Sequence, residues 1–140
     1  MATLRKGDEI MGYAKGIHHV AIKVKDFDKT CALYTHVFGM TPTLSWGEGD
    51  NRAVMLDCGD GACIEVFAGG KGKLSEGAWM HIALKVTDVD GAYAAALKAG
   101  CVAHMEPKSI DIESKPCIVP VRIAFVKGFD GEIIEFFANR

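Results

Sequence analysis

Residues 19–24 read HVAIKV, and residues 81–86 read HIALKV. Both stretches run histidine, apolar residue, alanine, aliphatic residue, lysine and valine, and an Asp-x-Asp segment suited to begin a helix follows each of them. Two such matching stretches indicate an internal repeat, and a repeat decides the fold because each copy builds the same supersecondary unit.

The repeat continues to the end of each copy. Residues 60–67 read DGACIEVF and residues 130–137 read DGEIIEFF, while Arg52 and Arg122 open corresponding apolar runs. The second copy is longer, and its polar stretch 108–115 could supply the extra residues. Each copy therefore has a histidine near its start and a glutamate near its end.

Length and composition are typical of one globular domain: 140 residues, 49% of them apolar and 24% charged. A formal net charge of −2 without a basic stripe argues against nucleic acid as a partner, and no apolar run reaches the roughly 18 residues of a membrane span. Residues 1–10 lack a signal-peptide core, so we expect a cytoplasmic protein with reduced thiols. The five cysteines form no Cys-x-x-Cys motif and are expected to be small buried hydrophobes: Cys31, Cys58, Cys63, Cys101 and Cys117.

Hydrophobic periodicity divides this domain into parts. We predict an N-terminal arm at 1–16, a first β-α-β-β-β module at 17–67, a linker at 68–77 and a second such module at 78–140, which together give an α+β fold. The predicted helices begin at Asp26 or Asp28 and at Asp88 or Asp90, and glycines follow their ends. The predicted strands are 17–24, 41–46, 52–56, 63–67, 81–86, 102–105, 121–126 and 132–137.

Strand alternation places candidate chemistry on one face of each module. His19 and Lys23 point away from the aliphatic residues that pack on the helix, whereas His18 falls on the aliphatic side and is predicted to be structural. If the glutamate strands follow the same rule, the exposed face of the sheet holds two imidazoles and two carboxylates. A lone residue of either type is usually structural, but four at repeat-related positions suit a divalent first-row metal: His19, Glu65, His81 and Glu135.

With these residues the chain resembles the vicinal oxygen chelate superfamily, which includes glyoxalase I, bleomycin-resistance proteins, methylmalonyl-CoA epimerase and extradiol dioxygenases. The similarity rests on HVAIKV followed by Asp26, on Tyr34 and Phe38-Gly39 at the helix end, and on the closing hairpin FDGEIIE, and it covers about residues 17–138. It implies a curved, mostly antiparallel eight-stranded sheet around a metal-binding cavity. The implied cofactor is one divalent ion per site, zinc, nickel, cobalt or manganese, with iron disfavoured, and its implied ligands are His19, Glu65, His81 and Glu135.

The resemblance also implies a homodimer, because members of this superfamily often pair modules across chains. Such a sheet leaves strand edges that proteins normally cover or pair. The four ligands then come from one chain or from two, and the sequence leaves both arrangements open.

Among the members of the superfamily, such a ligand set is most similar to that of glyoxalase I, which isomerises a glutathione hemithioacetal. The resemblance implies a lyase or isomerase in which the metal polarises a carbonyl with a vicinal oxygen, while Glu135, or Glu65, transfers the proton. Lys23 stands where glyoxalase I usually has arginine, and residues 68–70 lack its usual asparagine, which argues against glutathione as substrate. The candidate substrate-binding residues are Lys23, Lys85, Arg52 and Arg122; solvated lysines and arginines paired with carboxylates are the alternative.

Two other functions remain open for such a chain. A non-catalytic protein of the bleomycin-resistance type sequesters an antibiotic, but such binders typically lack the metal ligands. A ring-cleaving dioxygenase uses two histidines and one carboxylate around open iron, and a fourth ligand at Glu65 fits that site less well. Epimerases of the superfamily often have glutamine at the position of Glu65.

Overall fold

A computed structural model describes residues 16–72 and 80–140, so most of the predicted arm and part of the linker lie outside the described residues. The first module consists of β1 (His19–Lys23), α1 (Phe27–Ala32) extended by a π-helical segment (Leu33–Val37), β2 (Thr41–Trp46), a 3₁₀ turn (Gly49–Asn51), β3 (Ala53–Asp57) and β4 (Cys63–Phe67). The second consists of β5 (Ile82–Lys85), α2 (Val89–Lys98), β6 (Val102–Glu113), β7 (Ile118–Lys127) and β8 (Ile133–Asn139). The predicted α+β fold of two β-α-β-β-β modules is confirmed.

Each module forms its own four-stranded mixed sheet, in the orders β1-β4-β3-β2 and β5-β8-β7-β6. The first strand of each module pairs in parallel with the last strand, and the other pairs are antiparallel. Among the described residues the eight strands thus form two open sheets and not one continuous sheet. As a result, β1 and β5 are both edge strands.

Local sequence fixes where the two helices begin. Asp26 accepts a hydrogen bond from the backbone N–H of Lys29 at 3.1 Å, and Asp88 accepts one from Gly91 at 2.9 Å. Both carboxylates therefore act as N-caps, which satisfy backbone donors that have no partner within the helix. The first helix stops before Gly39, whose φ of 79° is a conformation that favours glycine.

One hydrophobic core joins the two modules. Tyr34 and Phe136, from different modules, are both almost fully buried, and Phe38 packs between them with ring centroids 5.2 and 5.6 Å from theirs. The core side chains come from the helices and from the helix-facing sides of both sheets. The modules therefore pack through their helix sides, and the opposite faces, which carry the predicted ligands, point away from this shared core.

The hairpin formed by β6 and β7 is longer than the sequence pattern predicted. We expected a strand only at 102–105 and a polar insertion at 108–115, but β6 continues to Glu113 after register shifts on both sides of Met105. Ile110 and Ile112 alternate with polar residues, which is the two-residue period of a strand. The inserted residues thus extend the hairpin and do not form a separate loop.

The prediction that all cysteines are buried is wrong for Cys58 and Cys117, which are exposed. Both lie just outside strands, next to turns, at the surface of the part of the chain that the structure describes. Cys101 is buried as expected, and burial raises the pKa of its thiol to about 11. Within the described residues, no helix combines the length and apolar character that crossing a membrane requires.

Candidate metal centre

The first module brings one histidine and one glutamate together. In the parallel register of β1 and β4, His19 lies beside Cys63, and Ala21 lies beside Glu65. The His19 Nε2 atom is 3.9 Å from Glu65 Oε2, with the imidazole 39% exposed and the carboxylate side chain 12% exposed. We call this pair the first half-site; its imidazole is open to solvent and its carboxylate is largely covered.

The second module repeats the arrangement with His81 and Glu135, which we call the second half-site. The His81 Nε2 atom is 3.4 Å from Glu135 Oε1, and the edge of the imidazole packs on Phe125 with ring centroids 5.3 Å apart. Burial raises the pKa of the Glu135 carboxyl, and the neighbouring His81 only partly offsets this. The second half-site therefore holds a carboxylate that is more basic than usual.

The chemistry of the donors in each half-site suits a first-row divalent ion, since imidazole nitrogen and carboxylate oxygen are common ligands of such metals. Catalytic zinc sites use three protein ligands and structural sites use four. Across residues 16–72 and 80–140, however, no group of three or more His, Cys, Asp or Glu side chains is close enough to hold a metal. The predicted ligands thus form two pairs within the chain, because the modules pack through their helix sides.

The predicted substrate-binding residues fall into two groups. Lys23 and Lys85 are exposed and lie on the strands that carry or follow the half-site histidines. Arg52 bonds to Asp28 of α1 at 3.2 Å and stacks over Phe27. In the second module the counterpart of Arg52 holds a carboxylate of α2 through two nitrogens: Arg122 to Asp90, at 2.5 and 2.6 Å. Both arginines therefore pair with carboxylates on the helix side.

Two histidines near the half-sites were not predicted to belong there. His18 was assigned to the aliphatic side, but it lies just before β1, is exposed, and has its Nδ1 atom 2.9 Å from His19 Nδ1. The alternation rule fails here because the strand pairing begins only at His19. His104 packs edge-on against Phe125, the ring that also contacts His81, at a centroid distance of 6.3 Å. The register of β6 shifts at His104, so alternation along the strand does not predict which face of the sheet carries this side chain.

The fold and the two half-sites define a protein of paired β-α-β-β-β modules, each of which presents one histidine and one glutamate. The chain belongs to the Glyoxalase/Bleomycin resistance protein/Dioxygenase superfamily, whose family model matches residues 16–136. The predicted membership of the vicinal oxygen chelate superfamily is thereby confirmed.

Individual relatives specify the function only slightly further than the family does. The chain is 33% identical over 129 residues to the uncharacterised protein YwbC of Bacillus subtilis (strain 168), which covers 89% of this chain and 98% of that protein. It is 31% identical over 132 residues to a probable lactoylglutathione lyase of Vibrio cholerae serotype O1. This alignment covers 89% of this chain and 91% of that protein. The structure of the trypanothione-dependent glyoxalase I of Leishmania major superposes with a TM-score of 0.65 at 25% identity, over 88% of this chain and 86% of that one.

Proposed function

We propose that the protein is a divalent-metal-dependent lyase or isomerase of the glyoxalase type. One observation carries the proposal: both modules hold a histidine Nε2 and a glutamate Oε within 4 Å, at 3.9 and 3.4 Å, on faces that the core does not use. A chance pair would not be expected at matching positions in both copies of a repeat. The similarity to a probable lactoylglutathione lyase supports the same class of reaction.

We propose further that two copies of the chain assemble each metal site. The helix sides of the modules are already packed on each other, and among the described residues β1 and β5 are sheet edges, which proteins normally cover or pair. Val20 on β1 is 43% exposed. A two-fold dimer that places the first half-site of one copy against the second half-site of its partner completes two equivalent four-ligand sites.

The proposed chemistry assigns roles to the residues of these sites. A divalent ion held by the two half-sites supplies a Lewis acid for a substrate carbonyl. The Glu135 carboxylate takes the proton from the hydroxyl-bearing carbon beside that carbonyl and returns it to the former carbonyl carbon. The hydroxyl proton passes to the former carbonyl oxygen, so the isomerisation balances without another reactant. In the metal-free protein, burial raises the pKa of the Glu135 carboxyl, which makes Glu135 the first candidate for this base. Glu65 is the second candidate base, and Lys23 and Lys85 hold an anionic substrate.

Complementation between variants tests the assignment of the metal ligands and the assembly of each site from two chains. His19→Ala and His81→Ala should each lose most of the metal bound by the parent protein, measured by elemental analysis after dialysis. If sites form between chains, unfolding and refolding the two variants as a mixture should restore about one quarter of the parental sites, because each mixed dimer has one intact pair of half-sites. No recovery would place each site within one chain. Parental metal binding by both single variants would refute the ligand assignment.

A second candidate function is a small-molecule binder of the bleomycin-resistance type, and the aromatic pair beside the first half-site favours it. Trp46 lies edge-on to Phe67 with ring centroids 6.2 Å apart and is 44% exposed, so a flat aromatic ligand could stack there. This candidate predicts tight ligand binding that survives removal of metal by a chelator. The lyase or isomerase predicts turnover that stops when the metal is removed.

A further inference from the structure

The ring of His18 contacts the nitrogen of His19 that does not face Glu65. The two Nδ1 atoms are 2.9 Å apart, and the rings meet edge to face with centroids 5.1 Å apart. His19 Nε2 points instead toward Glu65, at 3.9 Å. Both nitrogens of this imidazole therefore have a defined neighbour.

Only one of these two distances is short enough for a hydrogen bond. A separation of 2.9 Å between ring nitrogens is a hydrogen bond, so one Nδ1 carries a hydrogen and the other accepts it. A separation of 3.9 Å is too long for a hydrogen bond, so Glu65 does not hold a hydrogen on His19 Nε2. Which ring donates depends on the tautomers, and a His19 with hydrogen on Nδ1 makes this contact while keeping a lone pair on Nε2.

We infer that His18 is a positioning residue for the first half-site: its Nδ1 accepts the Nδ1–H of His19 and thereby leaves His19 Nε2 free to bind metal. This rests on the proposed function, because it gives His18 a role only if His19 is a ligand. Partners of this kind fix the tautomer and the ring orientation of ligating histidines, and losing one typically costs about 10- to 100-fold in metal affinity.

The backbone holds His18 where this contact needs it. The carbonyl oxygen of His18 accepts a hydrogen bond from the backbone N–H of Cys63 at 2.9 Å. Cys63 begins β4, the strand that carries Glu65, so the acceptor, the ligand and the carboxylate are fixed to the same pair of strands.

In the second module the residue before His81 is a methionine, which has no ring nitrogen, so this module provides an internal control. Met80 precedes His81 as His18 precedes His19, and its side chain is 78% exposed. Replacing His18 by methionine therefore gives the first module the residue that the second already has. Replacing it by asparagine puts an amide oxygen about where the imidazole Nδ1 lies, which preserves an acceptor.

The experiment compares His18→Met, His18→Asn and the control Met80→Leu with the parent protein. In metal-free, ¹⁵N-histidine-labelled protein at about pH 8, long-range ¹H–¹⁵N NMR reports which nitrogen of His19 carries hydrogen. Competition with a chromophoric chelator gives the zinc affinity of each protein, and circular dichroism confirms folding. We expect hydrogen on Nδ1 in the parent, in His18→Asn and in Met80→Leu. We expect hydrogen mostly on Nε2, and zinc affinity reduced about 10- to 100-fold, in His18→Met.

The outcomes separate this inference from the proposed function. If His18→Met keeps the parental tautomer and affinity while His19→Ala loses the metal, the positioning role is refuted and the metal site stands. If His18→Met and His18→Asn lose affinity equally, the ring acts by packing and the acceptor role is refuted. If the parent protein binds no divalent metal, or His19→Ala binds it like the parent, the proposed function fails and the inference fails with it.

Discussion

The closing hairpins of the two modules share an Asp-Gly turn, but the two turns have different surroundings. In the first module Asp60 is exposed and accepts a hydrogen bond from Ala62 of its own turn at 3.0 Å. In the second module Asp130 is 4% exposed and accepts a hydrogen bond from the backbone N–H of Lys25, in the other module, at 2.9 Å. Residues at equivalent positions of a repeat thus act locally in one copy and join the modules in the other.

The residue that follows the Asp-Gly turn also differs between the two modules. Ala62 in the first module corresponds to Glu132 in the second, which accepts hydrogen bonds from the Tyr34 hydroxyl at 3.3 Å and from the Asp130 backbone at 3.0 Å. Gly128 makes room for this carboxylate, since a Cβ there would lie 1.9 Å from Glu132 Oε1. The second turn therefore fixes the helix-side packing that leaves both half-sites facing outward.

The largest effect is expected from changing the glutamate of one half-site and not of the other. Glu135→Gln should retain most metal binding but lower turnover by about 10²- to 10⁴-fold, because an amide cannot take the proton that a general base removes. Glu65→Gln should lower turnover much less. Candidate hemithioacetals, 2-oxo thioesters and 2-hydroxy ketones would be incubated in D₂O, with deuterium incorporation followed by NMR. Equal loss in both variants would show that the half-sites share the base role.

The next largest effect compares the two core positions that face the helices. Phe136 and Val66 are repeat-related, and both are fully buried. Phe136→Ala should lower the free energy of unfolding by about 3–5 kcal/mol, since it opens a large cavity where the modules meet. Val66→Ala should cost about 2 kcal/mol, because fewer buried carbons are lost. Urea denaturation measures both, and equal costs would contradict the view that the second module supplies more of the junction.

Much of the fold followed from residue pattern alone. The repeat indicated the element order, and alternation put His19, Glu65, His81 and Glu135 on the exposed faces of the sheets, because both rules depend only on neighbours in sequence. The separation of the half-sites did not follow, since it depends on contacts between distant residues, such as Tyr34 with Glu132. The role proposed for His18 was missed for another reason: the predicted strand 17–24 included this residue, but β1 begins at His19, and alternation holds only within a strand.

A smaller effect should separate the two turn aspartates. Asp130→Ala removes the acceptor for the Lys25 N–H in a partly buried junction, which should cost about 1–3 kcal/mol of unfolding free energy. Asp60→Ala changes an exposed turn in which water can replace the lost partner, and should cost about 0.5 kcal/mol or less. The comparison uses the same turn sequence in both modules, so turn propensity largely cancels. A cost at Asp60 as large as that at Asp130 would remove the distinction between the turns.

The smallest effect is a pH dependence of stability that arises from Glu132, next to the second turn. Burial raises the pKa of the Glu132 carboxyl above its ordinary value of 4.5, so the folded protein holds this proton more tightly than the unfolded chain does. The stability that this group contributes is therefore fully present below about pH 4.5 and is lost as the pH rises through the raised pKa of the folded state.

Glu132→Gln should remove this dependence, because its amide does not titrate in that range. We expect the free energy of unfolding of the parent, relative to Glu132→Gln, to fall as the pH rises above 4.5, measured by urea denaturation at each pH. Taking the difference between the two proteins cancels the contribution of Glu135, whose pKa is raised in the same direction. The exposed Glu106 provides the matched control, and Glu106→Gln should run parallel to the parent. If Glu132→Gln also runs parallel, the carboxyl at the module junction has the same proton affinity in the folded protein as in the unfolded chain, and its burial does not couple the second turn to pH.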